Sequence, residues 1–187
     1  IYELGIDIIK VASCSAQDWP LLEYISNFNK PVIVSTGGLL DDEIGKIVSF
    51  FEHRSINLCL MHCVAIYPTY LDMLNLNYIK NLKQKYPKIT IGFSTHEEPD
   101  EILPITAAVA IGAKVFERHV GIKTEEFKLN NYSSTPSQLD KWIKTAQTTF
   151  AICGNISKKA IHIEEDRSLN ELKRGVYFKQ KIKKGEV

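Results

Sequence analysis

Two histidines stand where a pair of imidazoles could share a cation. His96 follows the run Ile89-Thr90-Ile91-Gly92-Phe93-Ser94-Thr95, and His119 follows Ala113-Lys114-Val115-Phe116-Glu117-Arg118. Both runs read as β-strands, and residues 100–111 between them read as a helix. Parallel strands joined by one helix are commonly neighbours, so both rings are expected at one sheet edge. Two neutral imidazoles there suit a divalent metal, the alternative being two unrelated histidines that cap their strands.

A second group of residues suits an anion. Lys10 lies near the end of the first apolar run and Ser13 follows in its loop, while Ser35-Thr36-Gly37-Gly38 closes the second run. Hydroxyls, glycine-exposed backbone N–H groups and a lysine together make a phosphate cradle. Taken singly, Lys10 could reach solvent and Ser-Thr-Gly-Gly could be a turn before a helix; on adjacent strands the set favours an anion site. Ser94 lies on the fourth strand, and Glu117, two residues before His119, shares its strand face. Glu117 either orients a ligand or accepts a proton, or it is an ion-pair partner of Lys10 or a neighbouring basic group. Tyr67 follows the third strand, placed either to hydrogen-bond and pack a polar ligand or to cover the core. His62 is expected behind the site rather than as a ligand, and His53 and His162 at the surface.

The elements that must position these residues alternate in period. Strands are expected at 7–12, 31–35, 57–63, 89–93 and 114–117. Helices are expected at 18–28, 41–51, 76–85, 100–111 and 136–153, with Pro20 in the first turn of the first and Asp41 or Asp42 as N-cap of the second. Nearly continuous apolar strands alternating with helices indicate an α/β protein with a parallel sheet. A barrel and an open doubly wound sheet both fit, although no G-x-G-x-x-G follows the first strand. The polar residues gather at the C-terminal strand ends, the face on which a barrel assembles its active site.

The chain has 187 residues, 44% hydrophobic and 24% charged, with a net charge of +1. That composition is globular and gives no argument for nucleic acid or membrane as a partner. Cys14, Cys59, Cys63 and Cys153 show no zinc-ribbon spacing and are expected to be buried, reduced thiols of a cytoplasmic protein. Residues 1–5 read as a helix ending at a glycine, and the last residues as the start of a strand, so the chain is expected to be the middle of a longer protein. A first domain over 1–155, a polar link over 156–170 and the start of a small β domain over 171–187 complete this reading.

Taken in order, these residues resemble the N-acetylneuraminate (sialic acid) synthase family. The matching stretches are Lys10-Val11-Ala12-Ser13, Lys30-Pro31-Val32-Ile33-Val34-Ser35-Thr36-Gly37, His62-Cys63 with Tyr67-Pro68, Gly92-Phe93-Ser94-Thr95-His96, and Gly112-Ala113 with Glu117-Arg118-His119. Arg167-Ser168 and Lys183-Lys184-Gly185-Glu186 resemble the beginning of that family's antifreeze-like (SAF) domain. The resemblance implies the last five strand–helix units of a (β/α)8 TIM barrel, and condensation of phosphoenolpyruvate with an amino-sugar such as N-acetylmannosamine. It implies Mn2+ or Mg2+ on His96 and His119, phosphoenolpyruvate on Lys10, Ser13, Ser35 and Ser94, and Tyr67 at the acceptor. It also implies a homodimer. Two positions depart from the family pattern: Asn130 stands where an Asp is common, and Ala65 where an Asn is common before the tyrosine. An amide at 130 binds metal or water but is no base. Both changes touch the acceptor side and leave legionaminic or pseudaminic acid precursors open. Glu117, Tyr67 and Asn130 are the expected catalytic set. The competing readings are a Schiff-base aldolase using Lys10 and a non-catalytic sugar-acid-binding barrel.

Overall fold

A computed structural model describes residues 4–154 and 162–186. The chain divides into two compact units, Ile1–Cys153 and Gly154–Val187.

The first unit alternates strand and helix in the expected order. Its strands are β1 (Ile9–Val11), β2 (Val32–Ser35), β3 (Leu58–Cys63), β4 (Thr90–Thr95) and β5 (Val115–Arg118). The helices are α1 (Trp19–Ser26), α2 (Asp41–Glu52), α3 (Tyr78–Lys85), α4 (Leu103–Ile111) and α5 (Pro136–Cys153). All strand pairs are parallel and the sheet order is β1-β2-β3-β4-β5. The strands β4 and β5 stop at Thr95 and Arg118, so each histidine of the pair sits one residue beyond its strand.

Side chains alternate across the strands and divide the sheet into two unlike faces. Ile9, Val11, Val32, Val34, Leu60, Ile91 and Phe93 face the helices and form the main core with Leu22, Ile25, Ile44, Ile47, Phe51, Ile79 and Leu82. The opposite face carries Lys10, Ser35, Cys63, Ser94 and Glu117. The sheet is strongly curled about this face. Lys10 on β1 and Glu117 on β5 are four strand steps apart, about 19 Å on a flat sheet, yet their charged ends meet at 2.8 Å. That contact requires the edges to turn toward each other, which makes the unit a half-barrel. Gly92 permits tight packing at its centre: a Cβ there would lie 2.3 Å from Met61 Sδ and 2.5 Å from the Val115 carbonyl oxygen.

Several expectations are corrected. The N-cap of α2 is Leu40, not Asp41 or Asp42. Asp41, Asp42 and Glu43 instead form the first turn, where carboxylates complement the helix dipole, and Glu43 accepts the Leu40 N–H at 2.7 Å. His62 lies on the helix-facing side of the sheet and not on its inner face. Cys63 takes the inner face, so His62 turns outward, where its Nε2 donates to the Leu74 carbonyl at 2.8 Å and its ring stacks on Phe93. Burial pushes the His62 pKa down, with the Leu74 carbonyl opposing. All four cysteines are free, but only Cys59 and Cys63 are buried; Cys14 and Cys153 are exposed.

The second unit contains α6 (Ile163–Leu172), with Glu164, Glu165 and Asp166 in its first turn. A helix thus occupies much of the stretch read as a polar link, and no strand forms among described residues 173–186. The helix read at residues 1–5 falls mostly outside the described residues; Leu4 and Gly5 form a turn. No helix among the described residues is long and apolar enough to cross a membrane.

Candidate active site

The C-terminal ends of the strands carry two adjoining groups. The first is a polar cradle on the inner face. Glu117 receives Lys10 Nζ at 2.8 Å on Oε2 and 3.1 Å on Oε1, and the Ser94 hydroxyl at 3.0 Å on Oε1. The register explains the set, because Cys63 pairs with Ser94 and Ser94 with Glu117 across β3, β4 and β5. The Ser13 hydroxyl accepts the Gly37 N–H at 2.9 Å and, with Ser94, lies within hydrogen-bonding reach of the Cys63 thiol. Burial pushes that thiol up, and the two hydroxyls and Lys10 oppose the rise. Gly37 is the hinge of this contact: a Cβ there would meet Ser13 Oγ at 2.9 Å and Cys63 Sγ at 3.1 Å. Ser35 is buried one step lower on β2, and its hydroxyl has no partner among the described residues. The unassigned hydroxyl and the lysine-led network suit a small polyanion.

The second group is a cluster of four rings at the mouth. The ring centroids of His96 and His119 are 5.2 Å apart. Tyr67 lies 4.3 Å from His96 and 5.3 Å from Tyr132, and Tyr132 lies 5.1 Å from His119. The loop after β3 is tied twice to His96, whose Nδ1 donates to the Val64 carbonyl at 3.1 Å and whose carbonyl accepts the Thr69 N–H at 3.0 Å. These bonds hold Tyr67 over the imidazole. On the other side, the His119 carbonyl accepts the Ser134 N–H at 2.9 Å, and Asn130 Oδ1 accepts the Tyr132 N–H at 3.2 Å. Asn130 therefore shapes the turn that presents Tyr132.

His96 suits a metal. A ring whose Nδ1 proton is committed to a carbonyl keeps its Nε2 lone pair free. Burial pushes the His96 pKa down, reinforced by His119 and Lys10 and opposed by the Val64 carbonyl and Glu117, which favours the neutral ligand form. Among the described residues no third His, Cys, Asp or Glu joins the two histidines. A cation there would keep open positions for water or substrate, the usual condition of Mg2+ and of catalytic metals.

Behind the rings, on the helix-facing side, lies an ion pair that sequence reasoning missed. Arg118 Nη1 donates to Glu97 Oε1 at 3.1 Å, with side-chain exposures of 1% and 0%. Its Nη2 donates to the Glu98 carbonyl at 2.9 Å and reaches the Glu97 carbonyl at 3.4 Å. Burial pushes the Glu97 carboxyl up and the Arg118 guanidinium down, each opposed by its partner. Cys63 and Tyr132 were also missed as site residues.

The family model described as NeuB family matches residues 1–158. The chain belongs to the NeuB family. Human N-acetylneuraminate-9-phosphate synthase is 29% identical over 189 residues, covering 100% of this chain and 52% of that protein. Other NeuB-related proteins carry the names N,N'-diacetyllegionaminic acid synthase and pseudaminic acid synthase, both from Campylobacter jejuni. Among solved structures, a Chromobacterium violaceum protein named for spore coat polysaccharide biosynthesis (protein E) is 49% identical with a TM-score of 0.88, over 94% of this chain and 52% of that one. The N-acetylneuraminic acid synthetase of Leptospira borgpetersenii is 30% identical with a TM-score of 0.81, over 91% of this chain and 59% of that one. The chain spans about half the length of the curated relatives it matches. Its half-barrel is thus a NeuB half-barrel.

Proposed function

We propose that this protein is a synthase that condenses phosphoenolpyruvate with an N-acylated amino-hexose, giving a sialic-type nonulosonic acid and releasing phosphate. The observation that carries the reading is the Lys10–Glu117–Ser94 network, with Ser13 nearby, beside two imidazoles 5.2 Å apart.

In this reading Lys10, Ser13, Ser35 and Ser94 hold the anionic groups of phosphoenolpyruvate. Lys10 turns part of its hydrogen bonding from Glu117 to the ligand, an orientation effect worth several kcal/mol to an in-line reaction. His96 and His119 would hold Mn2+ or Mg2+, which supplies Lewis-acid polarisation of the acceptor aldehyde when bound. C3 of phosphoenolpyruvate attacks that aldehyde. Glu117 stabilises the positive charge that develops at C2, water adds there, and phosphate leaves with C–O cleavage. Tyr67 and Tyr132 form apolar walls with hydroxyl edges against the sugar, and Asn130 sets the position of Tyr132.

N-acetylmannosamine is the first acceptor to test. Ala65 and Asn130 extend the panel to precursors of legionaminic and pseudaminic acids. The aldolase reading needs Lys10 in an apolar pocket, whereas Lys10 is ion-paired to Glu117. Borohydride trapping with pyruvate separates the two: a Lys10 adduct contradicts the synthase. The direct assay is phosphate release by full-length protein with Mn2+, phosphoenolpyruvate and the acceptor panel. Acceptor-dependent release is expected; no release with any acyl-hexosamine favours a non-catalytic sugar-acid binder.

A further inference from the structure

The backbone pairing of β4 with β5 ends at Thr95 opposite Arg118, and both histidines lie one residue past it. From there the two segments are tied to different neighbours. His96 is bonded to the loop after β3 through Val64 and Thr69, and His119 to the segment containing Ser134. Neither tie sets the distance between the rings. The Glu97–Arg118 pair does cross from one segment to the other. Glu97 directly follows His96, and Arg118 directly precedes His119. The guanidinium bonds the Glu97 carboxylate and the Glu98 carbonyl, so its planar fork fixes both the side chain and the backbone of the opposite segment.

Such a pair is an expensive way to fill space. Removing two charges from water costs more than their attraction readily returns, and apolar residues of similar volume often stabilise equally well. The apolar surroundings could have accepted such residues: Ile105, Val109, Trp142 and Ala146 form a buried cluster there, and the guanidinium lies 5.8 Å from the Trp142 ring centre. What apolar residues lack is directional bonding. We propose that the Glu97–Arg118 pair is a positioning element that sets the separation of His96 and His119 for a shared divalent cation. Neither residue touches the inner cradle, so the pair acts through the histidines alone. This inference rests on the metal-assisted reading above.

The test compares single and double variants of the full-length protein. Arg118→Met alone strands a buried carboxylate and lowers the melting temperature. The double variant Glu97→Leu/Arg118→Met removes both charges and is expected to recover most of that loss. Its Mn2+ affinity, measured by titration without substrates, is expected to stay about 10–100-fold below wild type, the usual effect of losing a residue that orients a metal ligand. The metal-free crystal structure of the double variant is expected to show the rings moved from their 5.2 Å separation. Arg118→Lys keeps the charge but loses the fork, and serves if the double variant does not fold; it too should lose Mn2+ affinity. Wild-type Mn2+ affinity in a folded double variant or in Arg118→Lys, with the rings unmoved, overturns the proposal. Wild-type protein that binds neither Mn2+ nor Mg2+ overturns the metal-assisted reading instead, and the ring separation in the variants then judges the positioning role alone.

Discussion

The cradle and the ring cluster lie side by side but are held by different means. In the cradle the side chains hold one another: Lys10 and Ser94 both bond Glu117, and Ser13 and Ser94 flank Cys63. Its geometry follows from strand register, because Cys63, Ser94 and Glu117 are cross-strand partners on one face. In the ring cluster no side chain bonds another among the hydrogen bonds described. The rings are placed by backbone carbonyls, by the turn at Asn130 and by the ion pair behind them. In a self-bonded cradle a ligand can be bound only in exchange for an internal partner of Lys10 or Ser94. A ring cluster held from behind leaves its front atoms without a bonded side-chain partner among the hydrogen bonds described.

The largest expected effects fall on the rings. His96→Ala or His119→Ala should lower kcat/KM by about 10²–10³-fold, the scale of losing one major electrostatic contact to the reacting group. Phosphoenolpyruvate binding, measured separately by titration, should stay near wild type. A parallel loss of phosphoenolpyruvate binding would merge the two groups into one.

Next comes the cradle. Lys10→Met removes a charge-assisted contact and should raise the KM for phosphoenolpyruvate by about 10–100-fold, with Mn2+ affinity unchanged. An unchanged KM would take the anion elsewhere.

Tyr132→Ala should raise the acceptor KM by about 3–10-fold, the worth of one aromatic contact, while Tyr132→Phe loses less. Steady-state kinetics with each substrate varied in turn reads this, and a change in the phosphoenolpyruvate KM alone would count against the assignment.

The smallest effect is a control on the helix-facing side. Burial pushes the His62 pKa below its ordinary value, with the Leu74 carbonyl opposing. As pH falls through about 6.5 the unfolded chain takes up a proton before the folded one does. Stability is therefore lost from there downward, until the folded pKa is passed. His62→Gln should leave both KM values unchanged and show a smaller drop in urea midpoint between pH 7.5 and pH 5.5. An equal drop in both proteins would remove His62 as a source of acid sensitivity.

The sequence exposes the fold well because each strand is a short apolar run closed by polar residues, and each helix carries its own punctuation. The position of α5 follows from Thr135-Pro136-Ser137-Gln138: the Thr135 N–H donates to Gln138 Oε1, and Thr135 Oγ1 accepts the Gln138 N–H. Candidate residues next to strand ends are legible for the same reason: Lys10, Ser94 and Glu117 bond one another, and the His96 and His119 rings meet. What escaped depends on strand parity. Adjacent residues on a strand face opposite ways, so the inward Glu117 sends Arg118 among the helices. An arginine on a covered face needs a partner, and Glu97 after the neighbouring strand was available to supply it. Tyr132 carried no such signal. It reaches the rings through a turn that only the folded chain defines.

The most direct measurement is a crystal structure of full-length protein with Mn2+ and phosphoenolpyruvate, with the metal located by its anomalous scattering. One Mn2+ ligated by both His96 and His119 is expected, with the phosphoenolpyruvate anion bonded to Lys10, Ser13 and Ser94. Manganese bound away from these imidazoles, or the anion seated outside the cradle, would contradict it.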